Sequence, residues 1–305
     1  MATGAELTYN TGASALAMAN EIFGDGVTVT AASYTGAANS KAIYTNGQLS
    51  PGVVPSTTGV ILSTGNASSF TQSNGDPNRL AGTSTDTTGP NNNAAFNAIA
   101  GASTYDAAWL DVSFIPTGNV MTIRFVLSSE EYPEYINSSY NDVVGVWING
   151  THVPISFGSG VSGVNNINGA NQQNLYVSNT GDQYNTEMDG FTLTLSLNIP
   201  VNIGVVNSIR IGIADTGDAT YDSNLLIAGN SVQTAVVARD DSVVIYPNGV
   251  ITMNPLAFSM TVCPVGSVIV WPATTATPLI CVMTSDPLPE LASLASGFIV
   301  MTPFG

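Results

Sequence analysis

From residue 106 onward, this chain is a succession of strand-length runs rich in Val, Ile, Phe and Trp. The runs are AAWLDVSFIP, NVMTIRFVLSS, NDVVGVWING, HVPISFG, FTLTLSLNIP, VNSIRIGIAD and LLIAGNSVQ. Turns of the Pro-Thr-Gly and Asn-Gly kind separate several of them. Many short strands joined by such turns, with almost no helix, predict an all-β fold of the β-sandwich or jelly-roll type.

The N-terminal part adds one short helix and two strands to this prediction. Residues 12–23 place apolar side chains at helical spacing, and glycines follow them. Residues 27–36 alternate as a strand does, and residues 59–65 form a short apolar run. The polar stretches between them, 37–58 and 66–98, are typical of loops. The Asn/Gly-rich segment 158–187 is also predicted to be loop, with one short strand near residues 174–178.

Charge limits what this chain can bind. It has 5 Lys and Arg against 21 Asp and Glu, a net charge of -16 in 305 residues. Without a basic patch it is not expected to bind nucleic acid or an anionic membrane. No apolar run reaches the roughly 18 residues of a membrane span. The composition fits a secreted protein, and it fits a protein that takes up divalent cations.

The start of the chain, MATGAELTYNTG, lacks the basic region and apolar run of a signal peptide. We therefore expect a cytoplasmic chain, a leader that has been removed, or an export signal elsewhere. Two cysteines, Cys263 and Cys281, lie close together in the sequence. A disulfide bond between them and a pair of unpaired, buried thiols are equally compatible with the sequence.

The character of the sequence changes near residue 234. We predict one β-sandwich domain at 1–233 and a second, short and atypical β module at 234–305. After Ala257 the chain is apolar, rich in Pro and almost free of charge, and its prolines exclude a long central helix. One hypothesis for this tail is a shifted reading frame or a truncated module, which the nucleotide sequence around codon 257 would test.

One acidic cluster lies in the stretch FVLSSEEYPEYINSSYNDVVGVWING at 125–150. It contains Glu130, Glu131, Glu134 and Asp142. Adjacent residues of a strand point to opposite faces, so Glu130 and Glu131 share a site only where the strand ends. The proline at 133 excludes a helix at this point, and the two glutamates are therefore placed at a strand end.

A second acidic cluster is the loop DTGDATYDS, which contains Asp215, Asp218 and Asp222. Carboxylates spaced along a Gly-containing loop suit a hard cation such as Ca²⁺, although the register is not that of an EF-hand. Asp and Gly are equally the residues of an ordinary tight turn. Asp189, in an Asp-Gly pair before a strand, is a weaker candidate for the same site.

Enzymatic interpretations find little support in the sequence. The sole histidine, His152, follows an Asn-Gly turn, and no nucleophile elbow, zinc-protease motif or Cys–His arrangement is present. A glycoside hydrolase could use Glu130 or Glu131 with Asp142 as its carboxylate pair. We expect no enzyme.

Several blocks of the chain resemble the choice-of-anchor L domain family of bacterial secreted and surface proteins. The blocks are ALAMANEIFGDGVTVTAASYTG, GVILSTGNAS, GDPNRL, the stretch from YDAAWLDV to VVGVWING, DGFTLTL and IRIGIADTGDATYDSNLLI, within about residues 7–232. The resemblance implies a β-rich module outside the cell or on its surface, without an established ligand. Residues 236–257 resemble the opening of a cadherin-like or Ig-like repeat.

Both acidic clusters belong to the most distinctive of these blocks. We therefore hypothesise one Ca²⁺ site formed by Glu130, Glu131, Asp142, Asp215, Asp218 and Asp222, against the alternative of a polar network between strand ends.

The function expected from these observations is a non-enzymatic extracellular module for adhesion, matrix building or assembly. Its partners would be a surface protein, a matrix protein, a glycan or further copies of itself. Alternatives are a carbohydrate-binding module, a glycoside hydrolase and a self-assembling filament or surface-layer subunit. In the carbohydrate-binding alternative, four exposed aromatic residues would stack on sugar: Tyr132, Tyr135, Tyr140 and Trp147.

Overall fold

The structure is a computed structural model that describes residues 2–72, 75–80, 82–155 and 163–234, and the backbone of 268–270 and 280–282. The chain divides into two compact units, Met1–Ala235 and Val236–Gly305. None of the described helices is long and apolar enough to cross a membrane.

The first unit is built almost entirely of strands. In chain order its elements are β1 (Thr8–Asn10), α1 (Ala15–Ile22), β2 (Val27–Thr35), β3 (Lys41–Thr45), β4 (Gly59–Ser63), α2 (Ala94–Ala100), β5 (Thr104–Pro116), β6 (Val120–Ser129), β7 (Val143–Ile148), β8 (Thr151–His152), β9 (Tyr176–Ser178), β10 (Gly190–Thr192), β11 (Leu195–Pro200), β12 (Asn207–Thr216), β13 (Ser223–Ala228) and β14 (Gln233–Thr234). Short 3-10 turns cover Gly47–Leu49, Ala67–Phe70 and Gln173–Leu175.

The strands form two antiparallel sheets. The first sheet has the order β1-β3-β4-β13-β6-β10-β9, and β11 and β14 also pair with β6. The second sheet has the order β2-β5-β12-β7-β8. Strands distant in sequence are neighbours in both sheets, as β12 beside β5 and β13 beside β4 illustrate. The predicted all-β sandwich with a short N-terminal helix is confirmed.

The main core lies between the inner faces of the two sheets. Its fully buried members include Leu110 and Phe114 from β5, Phe125 from β6, Ile211 from β12 and Leu225 from β13. Alternate residues of β5 point into this core, so that its inner face carries Leu110, Val112 and Phe114. Burial of these side chains is the main source of stability for such a sandwich.

Part of the outer face of each sheet is also covered. On the first sheet, Ile61, Val126 and Leu226 pack with Tyr44 and Phe70 in a second apolar cluster. Side chains of β4 and β13 are therefore buried on both faces, which explains their continuous apolar sequences.

On the second sheet, α2 covers part of the outer face. Phe96 packs against Trp109 and Trp147, with ring centroids 5.9 and 5.1 Å apart. The helix begins at Asn93, whose side chain accepts hydrogen bonds from the Ala95 and Phe96 amides, and it ends at Gly101 in the left-handed conformation.

Most predicted elements are present, with shifted ends. The predicted helix at 12–23 corresponds to α1, and the short strand near 174–178 corresponds to β9. Two stretches predicted as loops contain regular structure: β3 lies within 37–58, and α2 begins within 66–98 and ends two residues beyond it. The run FTLTLSLNIP is two strands, β10 and β11, since the chain leaves the ladder between them.

Within the second unit, β15 (Val268–Val270) pairs antiparallel with β16 (Ile280–Val282). The predicted disulfide or thiols at Cys263 and Cys281, and the interpretation of residues 258–305 as an atypical module, lie outside the described side chains.

Candidate functional site

The two sheets meet at one end of the sandwich, where several strands begin or end. Ser129 ends β6, and it is paired with Ser223, the first residue of β13. Asp142 immediately precedes β7 of the other sheet. The Ser223 hydroxyl donates to Asp142 Oδ2 at 2.6 Å and lies 2.8 Å from Ser129 Oγ. These contacts tie the first sheet to the second, and we call this region the acidic junction.

Two aspartates form the centre of the acidic junction. Asp142 Oδ1 accepts a hydrogen bond from the Thr216 amide at 3.0 Å. Asp215, one residue before Thr216 and next to a bulge in β12, is hydrogen-bonded to Asp142 through its side chain. Burial raises the pKa of both carboxyl groups, and the pair is therefore suited to sharing a proton.

A polar segment, Thr83–Thr87, donates hydrogen bonds to two carboxylates of the acidic junction and to Glu130, which lies outside it. Its alternate backbone amides point at three carboxylates: Thr83 N donates to Glu130 Oε1 at 2.8 Å, Thr85 N to Asp222 Oδ1 at 2.7 Å, and Thr87 N to Asp106 Oδ2 at 2.8 Å. This period of two is that of extended backbone. The long polar loop predicted at 66–98 thus contributes directly to the junction.

Three carboxylate oxygens at the acidic junction are buried and have no hydrogen-bond partner among the described residues. They are Oδ1 of Asp106, Oδ1 of Asp215 and Oδ2 of Asp222. All three residues are at most 2% exposed. Asp222 and Asp106 both raise the pKa of Asp215 by their charge, and burial raises the pKa of Asp222 to about 6. Unpartnered buried carboxylates are costly unless a proton or a cation compensates them.

The predicted acidic residues are brought together only in part. Asp142, Asp215 and Asp222 lie at the acidic junction. Glu131 is buried beside it, where burial and the charge of Asp142 raise its pKa to about 9. Asp218 is half-buried in a turn and accepts from the Thr220 amide.

Glu130 belongs to a different environment. Its neighbours are Asp189 and Glu187, whose charges add to the effect of burial and raise its pKa to about 8. Asp189, the weaker candidate, lies on this side and not at the acidic junction. Within the described residues, no three Asp, Glu, His or Cys side chains are arranged to hold a metal ion.

Sequence reasoning missed Asp106 and the segment Thr83–Thr87. Asp106 has a positive φ of 47° at the start of β5, and its own amide donates to Asn91 Oδ1. The sequence signal that could have identified Asp106 is an acidic residue at the beginning of an apolar strand, in a chain with few charged residues. The segment Thr83–Thr87 gave no signal, because backbone amides do not depend on side-chain identity.

The four aromatic candidates do not form one surface. Tyr132 is fully buried and donates to the Ile167 carbonyl at 2.6 Å, so its expected exposure is wrong. Tyr135 packs against Tyr140 and Tyr221, with ring centroids 5.4 and 5.5 Å apart. Trp147 lies elsewhere, on the outer face of the second sheet.

Comparison with known proteins identifies the family. The model of the choice-of-anchor L domain matches residues 8–233, almost the whole first unit. No curated protein and no solved structure matches the chain. The family is a type of non-catalytic module of bacterial proteins that are secreted or held at the cell surface. With two antiparallel sheets and a family match across both, this chain belongs to the choice-of-anchor L domain family.

Proposed function

We propose that this domain is a non-enzymatic extracellular module for adhesion or assembly whose acidic junction is stabilised by bound Ca²⁺. The observation that carries the proposal is the set of three buried, unpartnered carboxylate oxygens on Asp106, Asp215 and Asp222. Carboxylate and carbonyl oxygens are the ligands that Ca²⁺ prefers, and extracellular fluids supply this cation.

Charge compensation from the protein itself does not explain the acidic junction. Among the described residues, the single ion pair joins Arg210 to Asp111, which lie on the outer face of the second sheet. The remaining compensation is a proton or a metal cation. At acidic pH, bound protons neutralise the carboxylates of the junction, because burial raises the pKa of these groups. At neutral and alkaline pH, a divalent cation would replace the protons. The described carboxylates are not arranged to hold a metal ion as they stand, so a bound cation would have to draw them toward one another.

Such a cation would fix the ends of both sheets. Asp106 and Asp215 belong to β5 and β12 of the second sheet, whereas Asp222 directly precedes β13 of the first. A shared ligand would therefore join the two layers at the end from which the loops project. A module that carries mechanical load between a cell and its surroundings benefits from a junction of this kind.

Thermal unfolding in EDTA, Ca²⁺ and Mg²⁺ tests the proposal. A ligand at about 100 times its Kd stabilises the folded state by about 2.7 kcal/mol, which is roughly 5–10 °C for a domain of this size. We expect Ca²⁺ to raise the melting temperature by about this amount, and Asp222→Asn and Asp215→Asn to abolish the increase.

Asp25→Asn, which changes an exposed aspartate, is the matched control and should keep the full response. An unchanged melting temperature in Ca²⁺ at pH 8, with the parent protein folded, would remove the cation from the proposal. An equal response in Asp222→Asn and Asp25→Asn would place the cation elsewhere.

A second candidate function, glycan binding, is favoured by a groove on the outer face of the second sheet. The groove has a volume of about 500 Å³ and is lined by Ser33, Ser113, Ser208, Trp147, Asp111 and Arg210, with small residues between them. Hydroxyl groups, one aromatic ring and a paired charge are the groups that recognise sugar hydroxyls and the apolar faces of sugar rings.

The ion pair in this groove is held more firmly than a typical surface pair. Arg210 donates to both oxygens of Asp111, at 2.8 and 3.0 Å, and its guanidinium lies 4.9 Å from the Trp109 ring centroid. Trp109 Nε1 also donates to Asp111 Oδ2. Side chains that are fixed in place before binding are suited to the recognition of a ligand, since less conformational entropy is lost on binding.

A glycan array tests this second candidate. Arg210→Ala and Trp147→Ala should abolish binding, whereas Arg124→Ala, an exposed arginine of the first sheet, should not. A protein that folds and binds no glycan on the array would contradict it.

A further inference from the structure

A second acidic region, separate from the acidic junction, surrounds a cavity of about 420 Å³. Four carboxylates line it: Glu130, Glu134, Asp182 and Asp189. They lie close enough to interact, since the charge of Asp189 raises the pKa of Glu130, and the charges of Glu134 and Asp182 raise the pKa of Asp189. The lining residues include no Lys, Arg or His. We call this the acidic cavity.

Two buried acceptors in the wall of the acidic cavity have no partner among the described residues. Glu130 is 3% exposed, and its Oε2 is unpaired while its Oε1 accepts from the Thr83 amide. Asn78 uses its Nδ2 to donate to Asp189 Oδ1 at 3.0 Å, which leaves its Oδ1 buried and unpaired. Asn78 Oδ1 is an acceptor only, and Glu130 Oε2 is an acceptor only when its carboxyl group is ionised, above a pKa of about 8. The ligand that satisfies them must donate hydrogen bonds.

Tyrosine rings form another part of the wall. Tyr135 and Tyr221 both line the cavity, with ring centroids 5.5 Å apart. A cation beside an aromatic face is stabilised by the electron density of the ring. The rings add little to the binding of a metal ion, which prefers oxygen ligands. Acceptors and rings together favour an organic cation.

We propose that the acidic cavity binds the ammonium group of a lysine side chain on a partner protein. An ammonium group has three N–H donors and no acceptor, and it matches Glu130 Oε2, Asn78 Oδ1 and the carboxylate of Asp189. The aliphatic stem of lysine would lie against Tyr135 and Tyr221. This inference goes beyond the Ca²⁺ proposal and does not depend on it, because the two sites use different carboxylates.

Calorimetry with Nα-acetyl-lysine methylamide tests the inference, and the norleucine analogue is the uncharged control. We expect the lysine compound to bind and the norleucine compound not to bind. Glu130→Gln should weaken binding about tenfold or more, which corresponds to about 1.4 kcal/mol. Glu6→Gln is the matched control, because it removes an exposed carboxylate that does not line the cavity, and should bind as the parent does.

Glu134→Gln provides a second variant at an exposed position, in case Glu130→Gln fails to fold, and it should also weaken binding. Equal binding of the lysine and norleucine compounds would overturn the inference, and so would lysine binding that neither variant weakens. Binding of Ca²⁺ in place of lysine, lost in Glu130→Gln, would identify a metal site instead. Asp222→Asn separates this inference from the Ca²⁺ proposal, since it should abolish stabilisation by Ca²⁺ and leave lysine binding intact.

Discussion

At the scale of single residues, Gly65 is a position where the acidic junction leaves no room for a side chain. A Cβ at this position would lie 1.8 Å from Asp222 Oδ2 and 2.2 Å from Asp222 Oδ1. We expect Gly65→Ala to force the Asp222 carboxylate away from the Thr85 amide, at a cost of about 1–3 kcal/mol. Urea unfolding measures this loss.

Gly12→Ala is the matched control for this prediction. Its new Cβ would meet only Asn10 Oδ1, at 3.6 Å, an ordinary contact distance. We expect its free energy of unfolding to stay within about 0.5 kcal/mol of the parent value. Equal stability of both variants would show that the carboxylate of Asp222 is not confined as described.

Also at this scale, the sequence predicted the identity of the important acidic residues better than it predicted their arrangement. Asp142, Asp215 and Asp222 stood out because acids are few, and all three are buried at one junction. The separation of Glu130 from Asp142 could not be predicted, since it depends on the direction in which the Glu130 side chain points just after the end of β6. Tyr132 was predicted to be exposed, whereas it is buried. An aromatic residue among polar neighbours has no sequence signal for burial.

At the scale of elements, α2 is the helix that sequence analysis did not predict. Its residues lie in a polar, Asn-rich stretch, and its seven residues are too few for a helical period to be visible. Its cap, Asn93, was present in the sequence but indistinguishable from two neighbouring asparagines. The long strands of both sheets were predictable because burial on one or both faces fixes their residue pattern over five or more positions.

Phe96 should hold α2 on the second sheet. It is fully buried and contacts both Trp109 and Trp147. We expect Phe96→Ala to destabilise the domain by roughly 3–5 kcal/mol, because it removes a large buried ring and leaves a cavity. Urea unfolding gives the stability, and near-ultraviolet circular dichroism reports the two tryptophans.

The matched control is Leu16→Ala on α1, where the side chain is 49% exposed. Its stability should change by about 0.5 kcal/mol or less. A small loss for Phe96→Ala, close to that of the control, would mean that α2 contributes little to the fold.

At the scale of the whole molecule, the buried acids should make stability fall as pH rises when Ca²⁺ is absent. Burial raises the pKa of Glu130 to about 8, of Glu131 to about 9 and of Asp222 to about 6, whereas unfolded Asp and Glu titrate near about 4. The folded state therefore binds more protons than the unfolded state between these values. Stability is highest below about pH 4, and Asp222 alone lowers it by about 3 kcal/mol once the pH exceeds 6.

Melting temperatures in EDTA from pH 4 to pH 9 measure this dependence. We expect a continuous decrease over the range, a smaller decrease from about pH 5 upward in Glu131→Gln, and an unchanged profile in Glu6→Gln, which removes an exposed charge. The last comparison separates the buried acids from general repulsion in a chain of net charge -16. Ca²⁺ at the acidic junction would oppose the decrease, since it binds the deprotonated carboxylates. A melting temperature that rises from pH 5 to pH 8 in EDTA would contradict the assignment of raised pKa values to these groups, because ionised and well-paired acids produce that opposite slope.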